Sequence, residues 1–73
     1  MYWVVMYVGN GDTDRYVNFY PEDGYNEVVN SIDLLTTHSK FETYRDAVST
    51  LRKYRIVDDV SIRNYAIRKV NNG

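Results

Sequence analysis

His38 is the only histidine in the chain, and with Ser31, Ser39 and Asp33 close in sequence it marks the one place where a nucleophile, a base and an orienting acid could be assembled. Acyl transfer by such a set needs the imidazole within hydrogen-bond reach of the hydroxyl and a carboxylate behind the ring. The stretch Thr36-Thr37-His38-Ser39-Lys40 matches no triad spacing, and its composition reads as a polar loop. Asn10, Asp12 and Asp14 alternate like the first ligands of a calcium loop. The sixth position, where glycine makes the sharp turn, is however Arg15, and the twelfth, where a bidentate carboxylate closes the shell, is Pro21 with Glu22 one place late. Gly9-x-Gly11 precedes a strand and lacks the later Gly and Lys of a phosphate loop, which would open a helix. Asp58-Asp59 follows a helical pattern and reads as a solvated turn, not a metal pair. No cofactor or metal is expected, and the chain reads as a non-enzyme that acts by binding another macromolecule.

The elements that must position any contact surface are clearer. Tyr2-Trp3-Val4-Val5-Met6-Tyr7-Val8 is aromatic and β-branched and ends at Gly9-Asn10-Gly11-Asp12, which supplies positive φ for a reversal. β character resumes over 15–20 and stops at Pro21-Glu22-Asp23-Gly24, so the first twenty residues read as a β-hairpin. Over 25–39 two readings stay open: a loop with a short strand around 32–36, or a helical turn. Tyr44, Ala47, Val48, Leu51 and Tyr54 fall at spacings of three and four, which predicts an amphipathic helix over 44–54, with Thr43 and Asp46 placed as a capping pair. From Val60 to Val70 an alternating pattern changes phase near Arg63-Asn64, suggesting a last strand with a bulge or one used on both faces. The expected fold class is α+β: a small antiparallel sheet of three to four strands with one helix on one face, in the order β-β-(β)-α-β, as a single domain over 1–73.

Composition bounds the function classes. Apolar residues make up 44% and charged residues 26%, a globular balance. With no cysteine there is neither a disulfide staple nor a thiolate zinc site, which fits a reducing cytoplasm. The apolar run 2–8 is too short to span a bilayer and has neither a basic leader nor a small-residue cleavage site, so neither membrane insertion nor secretion is expected. Net charge is −1, which argues against wholesale DNA mimicry and against binding DNA by overall basicity. The charges are nevertheless divided along the chain. Residues 1–39 hold six acidic side chains against Arg15 alone, a net of −5, while 40–73 hold eight basic against four acidic, a net of +4. Either the molecule is a dipole or the two halves interleave.

If Tyr2, Val4, Met6, Val8, Val17 and Phe19 face the helix, alternation gathers Trp3, Val5, Tyr7, Tyr16, Asn18 and Tyr20 on the other side of the hairpin. Tryptophan and tyrosine are favoured anchors at interfaces because each offers large area with few rotatable bonds. Trp3, Tyr7, Tyr16 and Tyr20 are therefore candidate partner contacts, the alternatives being that this face is core or closes against a second copy. Arg45 and Arg52, on the outer side of the helix, offer a basic surface. Glu22, Asp23 and Glu27, with Tyr25 and Asp33, offer an acidic one able to imitate phosphates locally. Tyrosines beside arginines also keep a nucleic-acid-binding module in view, although the RNA-binding sheet motif and its βαββαβ length are missing.

The pattern Phe41-Glu42-Thr43-Tyr44-Arg45-Asp46-Ala47-Val48-x-x-Leu51, then a short loop and Val60-Ser61-Ile62, resembles the small accessory proteins encoded by bacteriophages, many of which are compact strand-rich domains with one helix. The likeness covers the last thirty residues and a first strand of matching character. It implies a host-takeover or counter-defence role in the cytoplasm of a bacterial host cell: stoichiometric blocking of a host protein such as a CRISPR effector, another immune protein or RNA polymerase. No functional residues carry over from it.

Overall fold

The computed structural model describes residues 1–9, 11, 13–58 and 64–71. Strands β1 (Tyr2–Tyr7) and β2 (Tyr16–Tyr20) are the two aromatic and β-branched runs of the hairpin. One 3₁₀ turn, Pro21–Asp23, follows, and Gly24 ends it at φ 61°, its N–H donating to the Pro21 carbonyl at 3.3 Å. A side chain there would be strained, so this turn depends on glycine. The chain returns as β3 (Tyr25–Val29), passes through 3₁₀ turns at Ile32–Leu34 and Thr37–Ser39, forms helix α1 (Tyr44–Asp58), and closes with β4 (Tyr65–Val70). The sheet order is β3-β2-β1-β4, with all neighbours antiparallel. The fold is thus α+β, with one α-helix and four strands among the described residues.

Two boundaries differ from the sequence reading. The third strand is Tyr25–Val29, directly after the Gly24 turn, and pairs with β2 along its whole length. Of the two readings left open for the segment around 32–36, the helical turn is the one formed there: the Ser31 hydroxyl accepts the Asp33 N–H at 3.2 Å and caps a 3₁₀ turn at Ile32–Leu34. Helix α1 runs on to Asp58, since Arg55-Ile56-Val57 contains no breaker. Val60, Ile62 and Arg63, where the phase change was expected, lie outside the described residues, as do Asn10, Asp12 and Asp59. Thr43 caps α1 as read from sequence, its Oγ1 accepting the Asp46 N–H at 3.1 Å.

β1 and β2 are in register only near the hairpin end, where Met6 lies opposite Tyr16 and Tyr7 N–H donates to Arg15 O at 3.0 Å. Further along they separate, and residues 39–41 fill the opening. Trp3 and Phe41 exchange backbone hydrogen bonds of 2.7 and 2.9 Å. Phe19 N–H donates to Ser39 Oγ at 2.7 Å.

This register decides which side chains share a face. Met6 opposite Tyr16 puts odd-numbered residues of both strands together, so the helix covers Val5, Val17 and Phe19, with Ala47, Leu51 and Tyr54 packed down from α1 and Trp3, Tyr7, Phe41, Tyr65 and Ile67 around them. The expected sorting, with Tyr2, Val4, Met6 and Val8 beneath the helix, is one residue out of phase on β1, and a one-residue slip transfers every side chain to the opposite face. Phe19 anchors this core, its ring 5.0 Å from Tyr54 and 5.9 Å from Phe41. Burying a side chain of that size contributes roughly 1.5–3 kcal/mol. Val4, Met6 and Tyr16 occupy the other face, where Leu35, Ile32, Val29, Tyr2, Val8 and Val70 cover them. Over β1 and β2 both faces are therefore covered, one by a helix and one by the turns of residues 31–40.

Candidate contact surface at the β2–β3 corner

The surface grows out of one polar residue in an otherwise apolar strand. Asn18, in Tyr16-Val17-Asn18-Phe19-Tyr20, is only 2% exposed, and a buried amide must find partners for both its ends. Its Oδ1 accepts from Thr36 N–H at 3.0 Å, Thr36 Oγ1 at 3.2 Å and Ser39 Oγ at 2.8 Å. Its Nδ2 donates to Leu34 O at 3.3 Å and to the Tyr20 hydroxyl at 3.0 Å. Tyr20 in turn donates its proton to Glu27. The hydrogen bond to Glu27 is the largest cause that raises the Tyr20 pKa above its ordinary value, with desolvation and the Glu27 charge adding to it and the Asn18 contact opposing it. Tyr20 thus stays a neutral phenol.

Tyr20 lies opposite Tyr25 across the β2–β3 pair, and their rings stack with centroids 5.2 Å apart and planes 21° from parallel. Tyr20 is held from behind by Asn18 and Glu27, while Tyr25 is 51% exposed. Glu22 and Asp23 stand exposed on the 3₁₀ turn between the two strands. Tyr20, Pro21, Glu22, Asp23 and His38 line an open cleft of about 140 Å³. The result is a fixed aromatic pair rimmed by carboxylates, suited to meeting a cationic, partly apolar surface.

The candidate contacts read from sequence divide into four groups. Tyr20, Glu22, Asp23 and Glu27 come together at this corner. Trp3 and Tyr7 lie half-buried on the helix side, Trp3 edge-on to Tyr44 at 5.3 Å with Lys69 Nζ 5.9 Å above its ring, and Tyr7 edge-on to Tyr65 at 5.6 Å. Tyr16 is buried in the second core. The single aromatic face expected from the hairpin is therefore split between two sides of the sheet. Arg45 and Arg52 are exposed on α1, as expected. Asn18, expected on an open face, and Ser39, expected in a polar loop, are both buried. The signal for Asn18 was its place inside a strand; for Ser39 no local signal exists, because its partner is twenty residues away.

The serines near His38 are committed elsewhere: Ser39 to Asn18 and Phe19, Ser31 to the Asp33 N–H. Among the described residues no group of three His, Asp or Glu side chains is placed to hold a metal ion, and no helix is long and apolar enough to cross a membrane. Among the described residues the charge division of the sequence survives in part, with Glu42 and Asp46 exposed at the start of α1 among its basic side chains. Glu22, Asp23 and Glu27 sit at the β3 side, whereas Arg68 and Lys69 are exposed on β4 at the opposite edge, and α1, with exposed Arg45, Arg52 and Lys53, leans over β1 and β4. No family model matches the chain, nor does any curated protein or solved structure.

Proposed function

We propose that this chain is a non-enzymatic binding protein of the phage-encoded inhibitory kind, which acts in the bacterial cytoplasm by blocking a nucleic-acid-handling host protein. The Tyr20–Tyr25 corner enters a basic groove of that protein, with Glu22, Asp23 and Glu27 meeting cations that otherwise hold phosphates. The observation that carries this reading is the exposed Tyr25 ring stacked on an immobilised Tyr20 with two free carboxylates beside it. A rigid aromatic anchor loses little entropy on docking, and local carboxylates complement a groove evolved for phosphate. The charge-reversed variant Glu22→Lys with Asp23→Lys should keep the fold, since both side chains are exposed, and should lose a host protein that the unaltered chain retains from nuclease-treated bacterial lysate. Tyr25→Ala should weaken the same retention. Retention of that protein by both variants would refute the reading.

A second reading, a nucleic-acid-binding module, draws on the opposite end of the charge distribution. There Lys40 Nζ lies 5.5 Å from the Tyr2 ring centre and Lys69 lies above Trp3. Its signature is salt-dependent retention on single-stranded DNA or RNA that Glu22→Lys with Asp23→Lys strengthens. Self-association, the third alternative, would show as a mass that rises with concentration.

A further inference from the structure

We infer that the outer edge of β4 is a docking edge for an extended, acidic segment of a partner protein, which would add there as a fifth strand. The geometry follows from the pairing of β1. Trp3 directs its N–H and C=O at Phe41, on the β2 side, so the alternate residues Tyr2, Val4 and Met6 direct theirs at β4, where Val70, Arg68 and Ala66 lie opposite them. Val8 N–H donating to Asn64 O at 2.7 Å continues the same phase. In an antiparallel ladder the intervening residues of the edge strand turn their backbone groups outward. Ile67 and Lys69 therefore present N–H and C=O away from the sheet, and no described residue pairs with them.

The chemistry of the edge selects the occupant. Arg68 and Lys69 are consecutive, so they project from opposite faces of β4, and both are exposed. A strand added alongside would bring its own side chains next to each of them, where opposite charges stabilise a cross-strand pair and like charges oppose it. Backbone ladder bonds supply affinity in such an addition and the flanking side chains supply selectivity. The acidic corner lies at the other side of the sheet, on β2, β3 and the turn between them, so the two surfaces can be altered separately. Charged edge residues also serve to discourage pairing altogether, and the experiment separates that role from docking.

The test is amide hydrogen exchange on the full chain with a pool of octapeptides alternating Glu or Asp with Val, Ile, Thr or Tyr. The expected result is slowing of the Ile67 and Lys69 amides by about tenfold or more, with the Val28 amide on the opposite edge unchanged. Arg68→Glu with Lys69→Glu should abolish the slowing. Lys69→Pro, which removes one outward N–H and is tolerated on an edge, should weaken it. Three results would overturn the proposal: no slowing at millimolar peptide, equal slowing by a pool carrying a central proline, or slowing without peptide that grows with protein concentration. The first leaves the edge charges as guards, the second reduces the contact to charge alone, and the third gives the edge to a second copy of the chain.

Discussion

Replacing Asn18 by alanine tests whether the polar hub holds the second face of the sheet. The amide makes five hydrogen bonds, but their loss is not uniform. Ser39 Oγ and Thr36 Oγ1 lie 3.3 Å apart and can satisfy each other, and Tyr20 keeps Glu27. The groups left without a protein partner are the Thr36 N–H, which is half-buried, and the carbonyl of the exposed Leu34, which water can reach. One stranded buried group costs about 1–3 kcal/mol, and the space vacated by the amide adds to it. The expected loss is therefore about 2–4 kcal/mol, against a total stability of roughly 4–11 kcal/mol for a chain of this length. Urea unfolding followed by circular dichroism reads this as a lower midpoint at unchanged slope. A loss within about 0.5 kcal/mol, the range of an ordinary surface substitution, would refute the hub.

Asn18→Asp sharpens the test because it keeps size and removes the donor. The carboxylate would face the Leu34 carbonyl and a tyrosine hydroxyl that already donates to Glu27. Burial without a cation raises the folded-state pKa of such an acid above its unfolded value. The penalty is then absent below the unfolded value of about 3.9 and grows as pH rises through the folded one. This variant should be less stable than Asn18→Ala at pH 7 and lose that disadvantage near pH 4.

Two further substitutions probe single contacts. Thr43→Ala should cost about 1 kcal/mol by leaving the Asp46 N–H without its cap, and Thr43→Ser should restore most of it; a null effect in urea unfolding would show the cap contributes nothing. Tyr20→Phe should destabilise the protein at neutral pH, and the difference from the unaltered chain should vanish in strong alkali. The Tyr20 pKa is raised from 10.0 chiefly by its bond to Glu27, so its contribution is fully present below the unfolded value and lost as pH rises through the folded one. A difference in urea midpoint that stays constant across this range would exclude the Tyr20–Glu27 bond as its source.

The elements with local causes were legible. The helix announced itself by its stripe and its Thr43 cap, and the turn at Pro21–Asp23 with Gly24 by residues that permit little else. The charge division was legible too, and the acidic residues of 1–39 supplied Glu22, Asp23 and Glu27 of the corner. What sequence did not disclose was the phase of β1 against β2. Both faces of β1 are apolar, Trp3, Val5 and Tyr7 on one side and Tyr2, Val4 and Met6 on the other, so alternation carries no information about which set meets the helix. The pairing of Met6 with Tyr16 and the place of Phe41 beside Trp3 are what separate the two sets, and the Phe41 contact is a non-local fact. The same blindness hid the cover on the second face, since Ile32 and Leu35 reach it from a segment whose pattern was neither helical nor alternating.

The splay between β1 and β2 gives the polar residues their reason. Where two strands part, each loses ladder partners, and a buried N–H without an acceptor is rarely tolerated. Phe19 N–H finds the Ser39 hydroxyl in place of a strand, and Asn18 fixes that hydroxyl by accepting its proton. Ser39 and Asn18 thus substitute for a stretch of ladder, and through them residues 31–41 are fastened in a chain that has no disulfide to do so. The same amide holds the Tyr20 hydroxyl from the other side. Rigidity of the acidic corner is therefore a by-product of closing the sheet: whatever loosens the split must also loosen Tyr20, and with it the ring on which the exposed Tyr25 rests.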